Sequence, residues 1–358
     1  MSPLLPFLFS LLTALSQPQE ASIVFVGDAM QHQKQIDVAR QSDGTYNYSG
    51  VFDNVADYIS SADYAVVNLE TPVAGGRYSG YPMFNAPDNF VTALKDAGFD
   101  MALTANNHVL DRHDNGIRRT IACLDKNGFD HIGAYTNTSA RQKSIPFVKN
   151  INNFKVGFLN YTYGTNGLTI REDVVVDYID KEQIKLDIKA TRDAGAEIII
   201  VAIHWGVEYQ LLPHPSQKEL ANFLVGQGVD MIIGGHPHVI QPMEVRDNPI
   251  TGKKSLVIYS LGNFISNMLT TDTRGGAMLS TKLIRDNNGI AQFDSASYRL
   301  VYVNQPTTSH PNYQVVPIDA NTDITTAVPD LSAKCRAFVA NATRIFDKHN
   351  INVPRYKK

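Results

Sequence analysis

Cysteine is scarce in this sequence, and charge of neither sign is in excess. Its 358 residues include two cysteines, 32 Lys and Arg residues, and 35 Asp and Glu residues, with a formal net charge of −3. Two cysteines, Cys123 and Cys335, are too few for a disulfide framework and too far apart in sequence for a zinc knuckle. The balanced charge provides no basic surface for nucleic acid, so we expect no nucleic-acid partner.

Long hydrophobic runs are also lacking, except near the start of the chain. The segment from Leu4 to Leu15 is almost wholly apolar, which suits the core of a signal peptide better than the about 20 residues of a membrane span. We predict a signal peptide over residues 1–18, incomplete because no Lys or Arg precedes the apolar run. It predicts an exported protein of the periplasm or cell envelope, peripheral to the membrane at most. The alternative is an N-terminal helix that packs on the domain.

Three motifs of common enzyme classes are missing. The sequence has no GxxxxGK(S/T) loop, no GxGxxG and no GxSxG. A P-loop ATPase, a Rossmann dehydrogenase and a serine hydrolase therefore lack their signatures.

The sequence instead contains short apolar segments that each give way to a polar residue. The first, SIVFVGD, breaks at Gly27-Asp28, and later ones end at or near Glu70, His108, His204, His238 and Asn263. Helical patterns lie between them, at residues 88–99, 115–129 and 215–228. Buried strands that alternate with helices predict an α/β layered fold, which we assign to residues 19–300. Residues 301–358 are predicted as a polar loop and an amphipathic helix appended to this core.

Ligands of open α/β sheets gather beyond the carboxyl ends of the strands. The polar residues at such positions are Asp28, Glu70, Asn107, His108, His204, His236 and His238. A mixed set of nitrogen and oxygen donors without cysteine suits borderline metals such as Zn²⁺, Mn²⁺ or Fe²⁺. Each residue alone has a structural alternative, because Asp caps turns, Asn-Asn favours turns, and a single His is most often a hydrogen-bonded surface group.

The stretch IIGGHPH carries two of these histidines, and the TANNHVLD turn, with Asn107 and His108, is the most informative single motif. A turn at Gly234-Gly235 is expected to aim both His236 and His238 at one point, and His204 adds a third imidazole, with Trp205 as a wall of the site. His32 has three open interpretations: an additional ligand, a substrate contact or an ordinary loop residue. Asp111 is interpreted as a surface group or an outer partner of the site.

The ordered set GDAM, NLETP, NNHVLD, HWG, GGHPHV and SLGNF, from about Ser22 to about Phe264, resembles the CapA family. These poly-γ-glutamate capsule biosynthesis proteins are related to the calcineurin-like metallophosphoesterases. The resemblance implies a four-layer α/β/β/α sandwich of the metallo-dependent phosphatase type with two divalent metal ions (Mn, Fe or Zn). It implies the following roles: Asp28 and His238 on the first metal, Glu70 as the bridging carboxylate, Asn107, His204 and His236 on the second metal, and His108 as proton donor.

Two departures from the wider superfamily concern the first metal. An Asp-x-His motif is usual there, whereas His32 lies four residues after Asp28, so the first metal is expected to be weaker, differently coordinated or absent. The bridging position, usually Asp, is Glu70, whose side chain is one methylene longer and is expected to alter the metal spacing.

Two functions follow from the resemblance. One is a metal-dependent hydrolase, phosphoesterase-like, acting on a small-molecule phosphoester or on poly-γ-glutamate or another envelope polymer; cleavage of the γ-glutamyl amide would use the same water activation. The alternative is a non-catalytic polymer-binding or assembly component that works with capsule assembly proteins. The segments 77–90 and 161–167 either line the site or are packed connectors, and Arg77 and Asn85 are candidate substrate contacts.

Overall fold

The computed structural model describes residues 19–308 and 310–357. The predicted signal peptide, residues 1–18, lies outside the described residues. Within the described ranges, no helix has both the length and the apolar character needed to cross a bilayer.

The described residues form sixteen strands and nine α-helices. The strands are β1 Glu20–Ala29, β2 Tyr64–Leu69, β3 Met101–Leu103, β4 Asp130–Ile132, β5 Ala134–Tyr135, β6 Phe147–Ile151, β7 Phe154–Thr162, β8 Val175–Val176, β9 Ile198–His204, β10 Met231–Gly235, β11 Met243–Asp247, β12 Lys254–Ile258, β13 Asn263–Ile265, β14 Gly275–Arg285, β15 Ala291–Asn304 and β16 Gln314–Ile318. The helices are α1 Gln33–Ala39, α2 Asp53–Ser60, α3 Asp88–Asp96, α4 His113–Lys126, α5 Thr138–Ser144, α6 Lys181–Asp193, α7 Pro215–Gly226, α8 Ile324–Ala327 and α9 Ser332–His349.

Most of the strands belong to two large sheets. The larger sheet has the order β16-β15-β14-β1-β2-β3-β4, with β13 paired to β1, and the smaller sheet has the order β11-β12-β10-β9-β7-β6. Strands β1 to β4 are parallel to one another, as are β7, β9, β10 and β12. The predicted polar residues lie at or beyond the carboxyl ends of β1, β2, β3, β9 and β10.

Alternate residues of the central strands face different layers. In β1, Ile23 and Phe25 join the core that also contains the smaller sheet, whereas Val24 and Val26 join the core beneath α2 and α3. This alternation follows from the two-residue period of a strand and means that the larger sheet is covered on both faces. The outer face of the smaller sheet packs against α6 and α7, through residues such as Ile188 and Leu224. The four-layer α/β/β/α sandwich is therefore confirmed.

The C-terminal part contributes more than a loop and a helix. The last four residues of β15 and all of β16 belong to the larger sheet, so a boundary at residue 300 falls inside a strand. Helix α9 packs on β15, where the ring centroids of Phe346 and Tyr298 lie 4.4 Å apart.

Asp230 is a buried carboxyl that directly precedes β10. Its burial is expected to lower the free energy of unfolding in a pH-dependent way. Its Oδ2 accepts a hydrogen bond from the Ile199 N–H at 2.8 Å, and burial raises its pKa to about 6. The folded state therefore holds this proton more tightly than the unfolded state, and stability is lost as pH rises from about 4 to about 6. An Asp230→Asn variant keeps the acceptor without a charge. We expect its free energy of unfolding at pH 7.5 to exceed that of the parent by about 1–3 kcal/mol.

Urea denaturation at pH 4.5 and pH 7.5 measures this difference. Asp294→Asn, at an exposed carboxyl, is the matched control and is expected to change stability by less than about 0.5 kcal/mol. An equal gain for Asp230→Asn at both pH values would show that ionisation of Asp230 is not the cause.

Candidate metal centre

Two buried carboxylates form the base of the site. Asp28 lies near the end of β1 and Glu70 directly follows β2, and both are fully buried. Asn68 lies between them: its Nδ2 donates to Asp28 Oδ1 at 2.8 Å and lies 3.5 Å from Glu70 Oε2. A Cβ at Gly27 would stand 1.9 Å from Gly262 O, so only glycine lets the adjacent chain pass this closely beside Asp28.

Three imidazoles converge on these carboxylates from the smaller sheet. His204 ends β9, and its Nε2 lies 3.3 Å from Glu70 Oε1. His236 and His238 follow β10, and His238 Nε2 lies 3.8 Å from Glu70 Oε1. The ring centroids of His204 and His236 are 4.9 Å apart. The two sheets thus bring residues more than 200 positions apart in sequence into one buried cluster.

The predicted turn at Gly234-Gly235 is wrong. Both glycines belong to β10, and the left-handed residues are His236, with φ +97°, and His238, with φ +57°. A Cβ at Gly234 would stand 2.2 Å from Tyr259 O, and one at Gly235 would stand 2.8 Å from Asp28 Oδ1. The glycines therefore allow close approach, while the histidines themselves adopt backbone conformations that cost energy.

His238 is oriented by Asn263 of the SLGNF motif, whose role the sequence did not indicate. His238 Nδ1 lies 3.1 Å from Asn263 Oδ1 and 3.2 Å from Asp28 Oδ2. Because both neighbours are acceptors, Nδ1 carries a proton, and Nε2 lies on the side of Glu70.

Asn107 and His108 come from the turn after β3. Asn107 Oδ1 lies 2.9 Å from His204 Nε2, and its Nδ2 donates to Asn166 Oδ1 at 3.2 Å. His108 Nδ1 pairs with Asp111 Oδ2 at 2.8 Å, and both side chains are buried. Asp111 is therefore a buried partner that orients His108, which agrees with one of its two sequence-based interpretations and not with a surface group.

The donor set fits a divalent metal. Two groups of three residues place ligand atoms within 4.8 Å of one another: Glu70, His236 and His238, and Asp28, Glu70 and His204. Glu70 belongs to both groups, which suits a bridging position, whereas the groups divide the histidines differently from the expected assignment. Among the described residues, Glu70 Oε1 and His236 Nδ1 are buried and accept or donate no hydrogen bond. Such atoms are costly unless a cation or another partner satisfies them.

Burial also sets the charge states of these groups. It raises the pKa of Glu70 well above the usual range, with a further contribution from the negative charge of Asp28. Burial and the neighbouring His238 lower the pKa of His236 to about 3, and burial and His236 lower that of His204 well below its usual value. Burial alone would raise the pKa of Asp28, but His238 keeps it below the usual range. His204 and His236 are therefore neutral near pH 7, the form that ligates metals.

Two aromatic residues cover the centre, and Trp205 is not one of them. The Trp205 side chain is buried in the core and donates its Nε1–H to Tyr259 O at 2.8 Å, so its predicted role as a wall is wrong. Tyr163, from the predicted 161–167 loop, has its ring centroid 4.6 Å from that of His236. The ring centroid of Tyr209 lies 6.3 Å from that of His238, and the backbone of Tyr209 has a φ of +66°. Both tyrosines are about half exposed, at 47% and 55%, and so face solvent above the histidines.

The three predicted substrate contacts have different surroundings. His32 Nδ1 accepts a hydrogen bond from Asn267 N at 3.2 Å, so its proton is on Nε2, which makes it a donor and not a metal ligand. Asn85 is 2% exposed and uses its amide inside its own loop, with Ala74, Gly75 and Arg77. A substrate contact by Asn85 does not fit this environment, whereas Arg77 is exposed.

Sequence comparison identifies the family. The model described as "Bacterial capsule synthesis protein PGA_cap" matches residues 22–268. The chain belongs to this family. It is 31% identical over 288 residues to the "Capsule biosynthesis protein CapA" of Bacillus anthracis, covering 75% of this chain and 65% of that protein. It is 28% identical over 275 residues to the "PGA biosynthesis protein CapA" of Bacillus subtilis, covering 75% of this chain and 69% of that protein. The match thus spans about two thirds of the length of these PGA_cap relatives.

One solved structure with a similar course of the chain is the NAD nucleotidase of Haemophilus influenzae. It shares 13% sequence identity with this PGA_cap member at a TM-score of 0.49, over 92% of this chain and 60% of that chain. A similarity at this level says nothing about the reaction.

Proposed function

We propose that the protein is a hydrolase that depends on two divalent metal ions, Mn, Fe or Zn, and that its reaction is of the phosphoesterase type. The observation that carries the proposal is the buried cluster of Asp28, Glu70, His204 and His236, in which Glu70 Oε1 and His236 Nδ1 have no hydrogen-bond partner among the described residues. Asp28, Glu70, Asn107 and the three histidines would hold the ions. When bound, such ions supply positive charge that activates water and stabilises a phosphoryl group.

The residues around the cluster would divide the remaining tasks. His108 is held through Nδ1 by Asp111, which leaves Nε2 to give a proton to the leaving group. Tyr163 and Tyr209 would bind and orient the substrate above the histidines, and would exclude part of the solvent. His32, with its proton on Nε2, would donate a hydrogen bond to an anionic oxygen of the substrate.

The family supports a link to capsule polymers. The matched relatives are named for capsule and PGA biosynthesis, so we propose poly-γ-glutamate or a related envelope polymer, or a small phosphoester from its metabolism, as the substrate. Capsule assembly proteins are the proposed partners. We also propose that the protein is exported, which fractionation of the producing cells tests directly.

The test is metal analysis of gently purified protein, combined with hydrolysis of a chromogenic phosphodiester. We expect about two divalent ions per chain, loss of hydrolysis on chelation, and recovery when metal is returned. In the same measurements, the His236→Ala/His238→Ala variant, which lacks two of the proposed ligands, is expected to lose metal and hydrolysis together. Metal-loaded protein that cleaves no ester in a broad panel would contradict the proposed hydrolase.

The relatives' names also support a second candidate, a non-catalytic component that binds the polymer through the same centre. Both matched CapA proteins are named for biosynthesis and neither for hydrolysis. Polymer binding that requires His236 and His238, without release of any small product, would favour this alternative over the hydrolase.

A further inference from the structure

Two arginines line a cavity whose lining includes residues that adjoin His32 and Asp111 in sequence. It has a volume of about 460 Å³, is open to solvent, and is lined by the loop 77–83, Gln33 and Arg112. None of the described residues that line it carries a carboxylate, and neither Arg77 nor Arg112 forms an ion pair in the described part of the chain. Two guanidinium groups without counter-charge make this cavity positive, although the protein as a whole has a formal net charge of −3.

The Arg112 guanidinium is held in place by hydrogen bonds, but not all of its N–H groups have an acceptor. Its Nη2 donates to Met83 O at 2.6 Å and to Ser79 Oγ. Its Nε is buried without an acceptor among the described residues. A buried, charged N–H that lacks an acceptor is costly, so the hydrogen-bonding capacity of the Arg112 guanidinium is not fully used by the protein.

Arg77 is free to meet a ligand while its backbone is fixed. Asn85 Nδ2 donates to Arg77 O at 3.0 Å, and Asn85 Oδ1 accepts from Ala74 N at 2.8 Å. The guanidinium itself is exposed and has no hydrogen bond in the described structure. The loop therefore presents an exposed guanidinium from a backbone that Asn85 holds by hydrogen bonds.

The same loop connects this cavity to the metal centre. Gly80 packs on the backbone of His32 and Gln33, where a Cβ would stand 2.2 Å from Gln33 N. Phe84 N donates to Asp111 Oδ2 at 2.8 Å, and the Phe84 ring lies 4.6 Å from the His108 ring. The segment that lines the cavity, which ends at Met83, thus continues directly into a residue that contacts both His108 and Asp111.

We propose that this cavity is an anion subsite that binds a carboxylate of the substrate next to the group that reaches His108. The proposal rests on the proposed function, because a γ-linked glutamate chain carries a free carboxylate on every residue. The planar guanidinium fork of Arg77 matches a carboxylate in bidentate geometry, and Arg112 adds a second donor from the wall of the cavity. The subsite would select an anionic polymer over a neutral one and set its register relative to the metal centre.

The test measures binding of a dye-labelled γ-glutamate pentamer by fluorescence anisotropy, with metal-loaded and with chelator-treated protein. We expect Arg77→Gln to raise the Kd about 10- to 100-fold, since hydrogen bonds between charged groups are of that strength. Arg77→Lys is expected to recover only part of the affinity, because it keeps the charge without the fork. Arg344→Gln makes the same change at an exposed side chain of α9. It is the matched control and is expected to leave the Kd unchanged.

Several outcomes separate this proposal from the proposed hydrolase. Binding that depends on Arg77 without any turnover supports the subsite and contradicts the hydrolase. Turnover of a simple phosphodiester, with pentamer binding equal in Arg77→Gln and the parent, overturns the subsite alone. No pentamer binding by the parent in either metal state also overturns it. Competition by inorganic phosphate at lower concentration than by glutarate would overturn the assignment to a carboxylate.

Discussion

A His108→Asn variant is expected to lose about 10²- to 10⁴-fold in kcat, the usual contribution of a positioned general acid, while it keeps its metal. The Asp111 carboxylate accepts a hydrogen bond from the His108 Nδ1–H, with 2.8 Å between Nδ1 and Oδ2. Nε2 is therefore the atom that would protonate the leaving group. Asparagine has a similar width but no proton of suitable pKa to give. Because His108 belongs to neither of the residue groups that would hold a metal ion, metal content is expected to stay at the parent level.

The leaving group provides the sharper measurement. p-Nitrophenolate departs without a proton, whereas an alkoxide requires one, so the loss should be much larger for an alkyl phosphodiester than for the chromogenic one. Asp111→Asn is expected to show a smaller loss with a displaced pH profile, because Asp111 acts through the orientation of His108. His131→Asn, on β4 beside the exposed Asp125, is the control. An equal loss with both leaving groups would show that His108 does not supply the proton.

Most of the site could be predicted because strand ends are visible in the sequence. Runs such as Ile23–Val26 stop abruptly at polar residues, and parallel strands deliver those residues to one edge of a sheet. Asp28, Glu70 and His204 therefore lie together, and their burial is consistent with the predicted donor set. Their assignment to individual ions and the role of His108 stay predictions.

The supporting residues could not be predicted in the same way. Asn68 and Asn263 act through hydrogen bonds to side chains of other strands or turns, and such pairings depend on the packed structure. The error at Gly234-Gly235 has a related cause, because glycine is used there for close approach to Tyr259 O and Asp28 Oδ1 and not for a turn. The predicted position of Trp205 as a wall of the site is wrong because a large ring after a strand end packs equally well into the core or over the site.

The fold was least predictable where strands pair antiparallel. Strands β14, β15 and β16 complete the larger sheet, yet their partners are set by hairpin contacts and by the cover that α9 provides. Residues after 300 therefore look like an appendage in sequence although β16 is an integral strand. The central parallel strands are easier to recognise, because burial on both faces leaves them almost entirely apolar.

The largest expected effect on stability is at Arg141, whose ion-pair partners do not belong to the candidate metal centre. Arg141 of α5 bonds Asp177 Oδ1 at 2.5 Å and Asp187 Oδ2 at 2.6 Å, and both carboxylates are more than 90% buried. Tyr135 and Tyr161 donate one hydrogen bond each to the same pair. An Arg141→Ala variant leaves two buried negative charges without a cation, so we expect a loss of about 3–5 kcal/mol in the free energy of unfolding at pH 7.5.

The pH dependence distinguishes this cause from a simple loss of packing. Burial raises the pKa of Asp177 to about 6 even though Arg141 opposes the shift, so without the guanidinium its pKa lies higher still. The folded variant then binds more protons than its unfolded chain, and its stability rises as pH falls. We expect the deficit in urea denaturation to be clearly smaller at pH 5 than at pH 7.5. Arg118→Ala, which breaks ion pairs with the exposed Glu172 and Asp173, is expected to lose less than about 1 kcal/mol. A deficit at Arg141 that does not change with pH would mean that lost contacts of the side chain, and not unpaired charge, destabilise the variant.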